Sequence, residues 1–244
     1  MPEQTENKIP KPIGEVILGQ VDPRTLSREE FDNNPDVLIH VATNVDLKLD
    51  PSWDYTKKGP QIGSTIGNGL YLTNDLDEVE RYADDRDRVH KGKAAGKLRL
   101  LPYQARMYDM RMEGKTSLNA DVPEDFFNSF RDYMIELKST LPEETNRYYR
   151  QELSEMVRYL NMHKLITCKD GYVPIGLREL LAHGNDRPEY FAKDFTGFMI
   201  SLGYDGLIYN EGGGGWGSNS PSYVFYQLNN LGTYDMWQQR KTNT

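Results

Sequence analysis

The sequence predicts an α+β protein whose mostly antiparallel β core is interrupted by a large helical insertion. Apolar, β-branched segments lie near both ends of the chain, amphipathic helical patterns fill the middle, and turns rich in Gly and Pro separate them. The length of 244 residues suits one large domain. We therefore expect a disordered leader over residues 1–12, one domain over 13–244 and the insertion over about 111–202.

The N-terminal third predicts the first β elements. Residues 13–21 are apolar and indicate a short strand or a helical turn, and Ser27 can cap a short helix after them. Residues 37–43 are apolar and β-branched, which predicts a buried strand. Residues 67–73 predict a turn into another strand, and Asn74-Asp75 can cap a helix with apolar residues at helical spacing.

The middle of the chain is predominantly helical. Residues 96–110 predict a strand followed by an edge segment, since they contain a proline that cannot donate to a ladder. Residues 123–165 carry two apolar stripes at helical spacing with a break at Leu141-Pro142, and residues 176–202 form a third, interrupted helical region. The chain closes with β segments at 203–210 and 222–228 around a Gly-rich loop.

Composition excludes several classes of protein. The 37 acidic residues outnumber the 29 basic ones, and the resulting net charge of −8 disfavours non-specific binding to a nucleic acid backbone. Cys168 is the single cysteine, so the chain can form neither an intrachain disulfide nor a Cys-based zinc site, and we expect no metal. No run approaches the roughly 18–20 apolar residues of a membrane span, which predicts no membrane contact, and the lone cysteine fits a reducing compartment.

Four short motifs follow one another in an order that carries functional information. They are Ile39-His40-Val41-Ala42-Thr43, then Gly67-Asn68-Gly69-Leu70-Tyr71-Leu72-Thr73, then Tyr82-Ala83, and finally Gly203-Tyr204-Asp205-Gly206-Leu207-Ile208-Tyr209 with Ser222-Tyr223-Val224-Phe225. In this order they resemble the ADP-ribosyltransferase superfamily, in the branch with a His, Tyr, Glu triad that contains the diphtheria-type toxins and the poly(ADP-ribose) polymerases. The last motif also resembles ADP-ribosyltransferase-like domains encoded in phages and mobile elements.

The resemblance implies that NAD is the substrate and that the β core is split in the way of that superfamily. Tyr71 and Tyr82 lie 82 − 71 = 11 residues apart, as the paired tyrosines of the family do, and would hold the nicotinamide between their rings. His40 would donate a hydrogen bond to the ribose next to adenine, and Thr43 could donate to the same region. Val41 replaces the usual Gly, but its backbone groups can still bond the nicotinamide amide if its side chain points away.

The chemistry itself requires a charge that one motif lacks. Cleavage of the bond between nicotinamide and ribose builds positive charge on the ribose, which a nearby carboxylate stabilises. The resemblance places a Glu where this chain has Ser222. Three alternatives remain open: Glu211 reaches into the site, Ser222 acts together with a carboxylate of the acceptor, or the domain binds NAD without transferring ADP-ribose.

The resemblance therefore implies an NAD-dependent mono-ADP-ribosyltransferase that modifies a macromolecule and releases nicotinamide. It also implies a phage- or toxin-like effector that acts in the cytoplasm of a cell, including a host cell into which it is delivered. Trp216, on the mobile Gly-rich loop, would contribute to recognition of the acceptor. A protein is the favoured acceptor, with nucleic acid left open. The alternative is a degenerate binding or structural module that keeps the fold without transfer. A related RNA-processing enzyme is a weaker option, because basic residues around the pocket are not evident.

Overall fold

The computed structural model describes residues 14–42, 49–57, 66–89, 96–112, 117–163, 168–182, 191–210 and 220–242. In these residues the chain forms a mixed α+β structure with a curled, antiparallel-rich sheet and several helices, which confirms the predicted class. The predicted leader over residues 1–12 lies outside the described residues.

Ten strands are present in the described part of the chain. They are β1 (Gly14–Leu18), β2 (Leu38–Ala42), β3 (Leu70–Thr73), β4 (Gly96–Pro102), β5 (Ala105–Asp109), β6 (Asp121–Pro123), β7 (Tyr172–Gly176), β8 (Gly206–Asn210), β9 (Pro221–Phe225) and β10 (Leu231–Gly232). Eight of them form one sheet in the order β1-β5-β8-β9-β3-β2-β4-β10, in which β5 and β8 are parallel and the other neighbours antiparallel. Strands β6 and β7 form a separate pair.

The helices of the described residues are α1 (Arg28–Asp32), α2 (Leu76–Val89), α3 (Glu124–Thr140), α4 (Arg147–His163), α5 (Leu177–Ala182), α6 (Ala192–Ser201) and α7 (Tyr234–Thr242). Helix α1 begins where the sequence predicts, because Ser27 and Glu30 form a reciprocal capping box. Helices α3 and α4 are separated at the predicted break around Pro142, since proline cannot continue a helix.

Two faces of the sheet are buried by different parts of the chain. The segment between β5 and β8 supplies α3 to α6, whose aromatic and aliphatic residues cover one face. A smaller cluster on the other face is formed largely by the strands themselves. Helices α1, α2 and α7 close a third cluster against β2 and β4, where Val79 and Trp237 are fully enclosed. The predicted insertion is thus helical but also contains the β6–β7 pair.

One strand prediction was wrong in its placement. The sequence suggested an edge segment after Pro102, yet β5 is an interior strand between β1 and β8. The chain reverses at Tyr103 and Gln104, the latter with a φ of 50°, and β5 then crosses to the other half of the sheet. Proline ends β4 without affecting the next strand, so Ala105 and Met107 are fully buried.

Candidate functional site

The junction of β2 and β3 is the point where the main sheet is least continuous. Strand β2 pairs with β4 along all five of its residues. With β3 its register consists of one pair within the described residues, Ile39 opposite Thr73. Counting onward in an antiparallel pair would bring Val41 opposite Tyr71, where no ladder pair forms. The sheet is therefore interrupted beside His40.

The His40 ring bridges this interruption. Its Nδ1 lies 2.8 Å from the backbone carbonyl oxygen of Tyr71, and the side chain is half-buried. Because a carbonyl oxygen only accepts, Nδ1 must carry the proton in this contact. In the neutral ring, Nε2 is then an acceptor, which differs from the donor role expected from the sequence. The His40 ring thus contacts the Tyr71 backbone. Because side chains alternate along a strand, His40 faces away from the side on which Ile39 and Val41 pack against α2.

Tyr71 is fixed at both ends. Its hydroxyl donates to the carbonyl oxygen of Gly67 at 2.7 Å and accepts from the Ile66 N–H at 3.3 Å, and its ring packs at the edge of the helix-covered core. Gly67 has a φ of 94°, which glycine adopts without strain, and this turn starts β3. The ring therefore has a defined position beside the interruption, although its hydroxyl is already satisfied by backbone.

Ser222 lies in one row of the sheet with Ile39 of β2 and Thr73 of β3, which are sequence neighbours of the site residues. Ile39 is opposite Thr73, Thr73 is opposite Ser222, and Ser222 is opposite Tyr209, so four adjacent strands contribute one residue each. Residues in such a row point to the same face. Ser222 is 7% exposed, so the chain buries a neutral hydroxyl where the family resemblance predicts a charge. Tyr71 is two residues from Thr73 and shares this face.

Helix α2 carries Tyr82 over this part of the sheet. Val79 and Ala83, one turn apart, pack with Ile39 and Val41, which fixes α2 against β2. Tyr82 is 37% exposed. The Arg81 guanidinium lies 5.7 Å from the centre of that ring.

Of the remaining predicted site residues, the structure describes Val41. The side chain of Val41 is buried against α2, so a branched residue fits at the position where the family has Gly. Thr43, Glu211 and Trp216 lie outside the described residues, and their predicted roles stay predictions.

Two acidic residues at the start of α2 were missed as site candidates. Asp75 caps the helix by accepting from the N–H groups of Asp77 and Glu78 at 2.9 and 3.3 Å. Its other oxygen accepts from the Ser220 hydroxyl, a hydrogen bond that lowers the pKa of Asp75. Glu78 is 4% exposed and forms an ion pair with Arg81 at 2.9 Å. The sequence predicted the cap at Asn74-Asp75, and the structure confirms it at Asp75, but no local pattern predicts the burial of Glu78.

Two surface cavities lined by described residues lie away from this site. One of about 390 Å³ is lined by Lys138 and residues of α4, and one of about 400 Å³ is lined by residues 51–54, 56, 200 and 226–229. Over the described ranges, no group of three or more His, Cys, Asp or Glu side chains could hold a metal ion. None of the helices in those ranges is both long and apolar enough to cross a bilayer.

Comparisons of the chain with family models, curated proteins and solved structures return no match.

Proposed function

We propose that the chain binds NAD at the interruption between β2 and β3 and transfers ADP-ribose to a macromolecule, as an ADP-ribosyltransferase of the His, Tyr, Glu branch. The observation that carries the proposal is the contact between the His40 ring and the Tyr71 backbone carbonyl across this interruption, next to the strand on which α2 packs. His40 and Tyr71 come from separate motifs on neighbouring strands, which supports the proposal. The same junction would provide the split in the β core that the superfamily has.

Each described residue has a task in this proposal. The rings of Tyr71 and Tyr82 hold the nicotinamide, which has a flat π face. The Nε2 atom of His40 accepts a ribose hydroxyl hydrogen, since its Nδ1–H is donated to Tyr71. The backbone of Val41, next to the interruption, bonds the nicotinamide amide while its side chain stays buried under α2. Protein is the favoured acceptor.

A second candidate function is NAD binding without transfer, and Ser222 is the observation that favours it. The side chain at this position is neutral and buried, and it lies in the row that leads from Ile39 through Thr73. A lost positioned charge of this type can cost on the order of 10²–10³ in rate. Isothermal calorimetry with NAD and a nicotinamide-release assay separate the two functions. Binding with release supports transfer, binding without release supports the binding module, and absence of binding contradicts both.

Replacing Tyr82 with Ala should weaken NAD binding. Stacking of a flat ring on an aromatic side chain contributes about 1–3 kcal/mol, so we expect the dissociation constant to rise by roughly 10- to 100-fold. Tyr82 is 37% exposed, so the fold should tolerate the change. The matched control is Tyr148→Ala, which removes a 61% exposed tyrosine on α4. Equal affinity of both variants in calorimetry would exclude Tyr82 from the nicotinamide slot.

A further inference from the structure

Glu78 is a buried acid in the first turn of α2. The acidic residues beside it on α2, Asp77 and Glu80, are exposed, whereas Glu78 is 4% exposed. Its position in the first turn favours a negative charge through the helix dipole, but that interaction does not require burial. Burying a carboxylate costs free energy unless it is paired, and Glu78 forms an ion pair with the Arg81 guanidinium at 2.9 Å.

Glu78 lies on α2, the helix that packs on β2. On a helix, Asp75, Glu78 and Tyr82 follow one another at spacings of three and four and lie along one side. The Ser220 hydroxyl binds Asp75 just before β9, and Thr73 lies opposite Ser222. This side of α2 therefore begins at Asp75, next to the start of β9, and continues through Glu78 to Tyr82. Val79, which follows Glu78 in the sequence, packs on Ile39 and Val41.

We propose that the Glu78 carboxylate supplies the negative charge that Ser222 lacks, an inference that rests on the proposed function. In the reaction, the bond between ribose C1′ and the nicotinamide nitrogen breaks, and its electron pair leaves with nicotinamide. Positive charge develops on the ribose, where the carboxylate stabilises it. A nucleophilic group of the acceptor forms the new bond to C1′ and loses its proton to solvent. Neither oxidant nor reductant is needed, and Glu78 is chemically unchanged at the end of the cycle.

The decisive experiment compares Glu78→Gln with Glu80→Gln in the full chain. Both variants remove one charge from α2, but Glu80 is exposed and pairs with Lys97. In E78Q we expect nicotinamide release to fall by about 10²–10³-fold while the dissociation constant for NAD changes by less than about threefold. E80Q should match the wild type in both measurements. Release by E78Q at the wild-type rate would overturn the role of Glu78 and leave the proposed function standing.

A second readout does not depend on turnover. A ribose analogue with a protonated ring nitrogen mimics the developing positive charge, and its uncharged counterpart does not. Wild type and E80Q should bind the cationic analogue at least tenfold more tightly than the neutral one, and E78Q should lose this preference. Unchanged preference in E78Q would overturn the proposal even if wild type releases no nicotinamide. Absence of NAD and analogue binding by wild type would overturn the proposed function and Glu78 together.

The conservative variant Glu78→Asp tests whether a loss of activity in E78Q reflects misfolding instead of the missing charge. This change keeps a carboxylate but shortens the side chain by one methylene group. The rate of nicotinamide release should therefore fall to a value between those of wild type and E78Q. If E78Q does not fold, E78D decides the question: wild-type release contradicts the proposal, and reduced release at unchanged NAD affinity supports it. A structural role for Glu78 would instead lower the unfolding midpoint without changing the preference for the cationic analogue.

Discussion

Replacing Gly206 with Ala is expected to destabilise the fold by about 3 kcal/mol or more. Gly206 begins β8 and lies between Met107 on β5 and Phe225 on β9. A β-carbon there would collide with the backbone carbonyl oxygen of Val224 and would lie 2.7 Å from Met107 Cε. The methionine can move, but β9 is an interior strand and its carbonyl cannot shift without disturbing both ladders.

Chemical denaturation of G206A measures this effect, and Gly171→Ala is the control. Gly171 has a φ of 80° and open space around its β-carbon position, so its change costs only backbone strain of about 1 kcal/mol. A G206A free energy of unfolding within 1 kcal/mol of the wild type would mean that β8 and β9 are not packed as described. Because β9 carries Ser222, the same measurement also probes how firmly the candidate site is held.

The second large effect is a pH dependence of stability that originates in Asp194. This residue of α6 is 6% exposed, and its Oδ1 accepts from the Tyr149 hydroxyl at 2.8 Å. Its Oδ2 is buried without a hydrogen-bond partner in the described part of the chain. Burial raises the pKa of Asp194 from 3.8 to about 6, against the opposing effects of the Tyr149 hydrogen bond and the Lys193 charge. Tyr133 also lies within electrostatic reach.

The sign of this pH dependence follows from which state, folded or unfolded, binds the Asp194 proton more tightly. Between pH 3.8 and about 6 the folded state holds the Asp194 proton more tightly than the unfolded state does, so the free energy of unfolding falls as pH rises through this window. A shift of about two units corresponds to about 3 kcal/mol as an upper limit. The favourable contribution is fully present below the unfolded pKa and lost above the folded one.

Denaturation of wild type and Asp194→Asn between pH 4 and 7 tests this expectation. The asparagine cannot titrate and can still accept from Tyr149, so the difference in unfolding free energy between the two proteins should move in favour of D194N as pH rises. Glu143→Gln, on the exposed loop between α3 and α4, controls for the loss of one charge. If the difference in unfolding free energy between wild type and D194N stays constant between pH 4 and 7, folding does not raise the pKa of Asp194 and the expectation is wrong.

Much of the local structure could be predicted from short stretches of sequence. Ser27, Asp75 and Pro142 mark helix boundaries, and each acts on backbone groups within a few residues of itself. The strands holding His40, Tyr71 and Ser222 were likewise predicted from β-branched and aromatic residues. These signals are readable because capping, helical periodicity and strand propensity operate over windows of one or two turns.

Tertiary packing decided which strands and side chains become neighbours in the folded chain. Thr73 and Ser222 are partners although 222 − 73 = 149 residues separate them, and β5 became an interior strand rather than an edge. The burial of Glu78, the bond from His40 to the Tyr71 carbonyl and the unpartnered oxygen of Asp194 also depend on elements that meet only in the folded chain. No local pattern encodes such contacts, because the free energy of burying a group depends on every element that covers it.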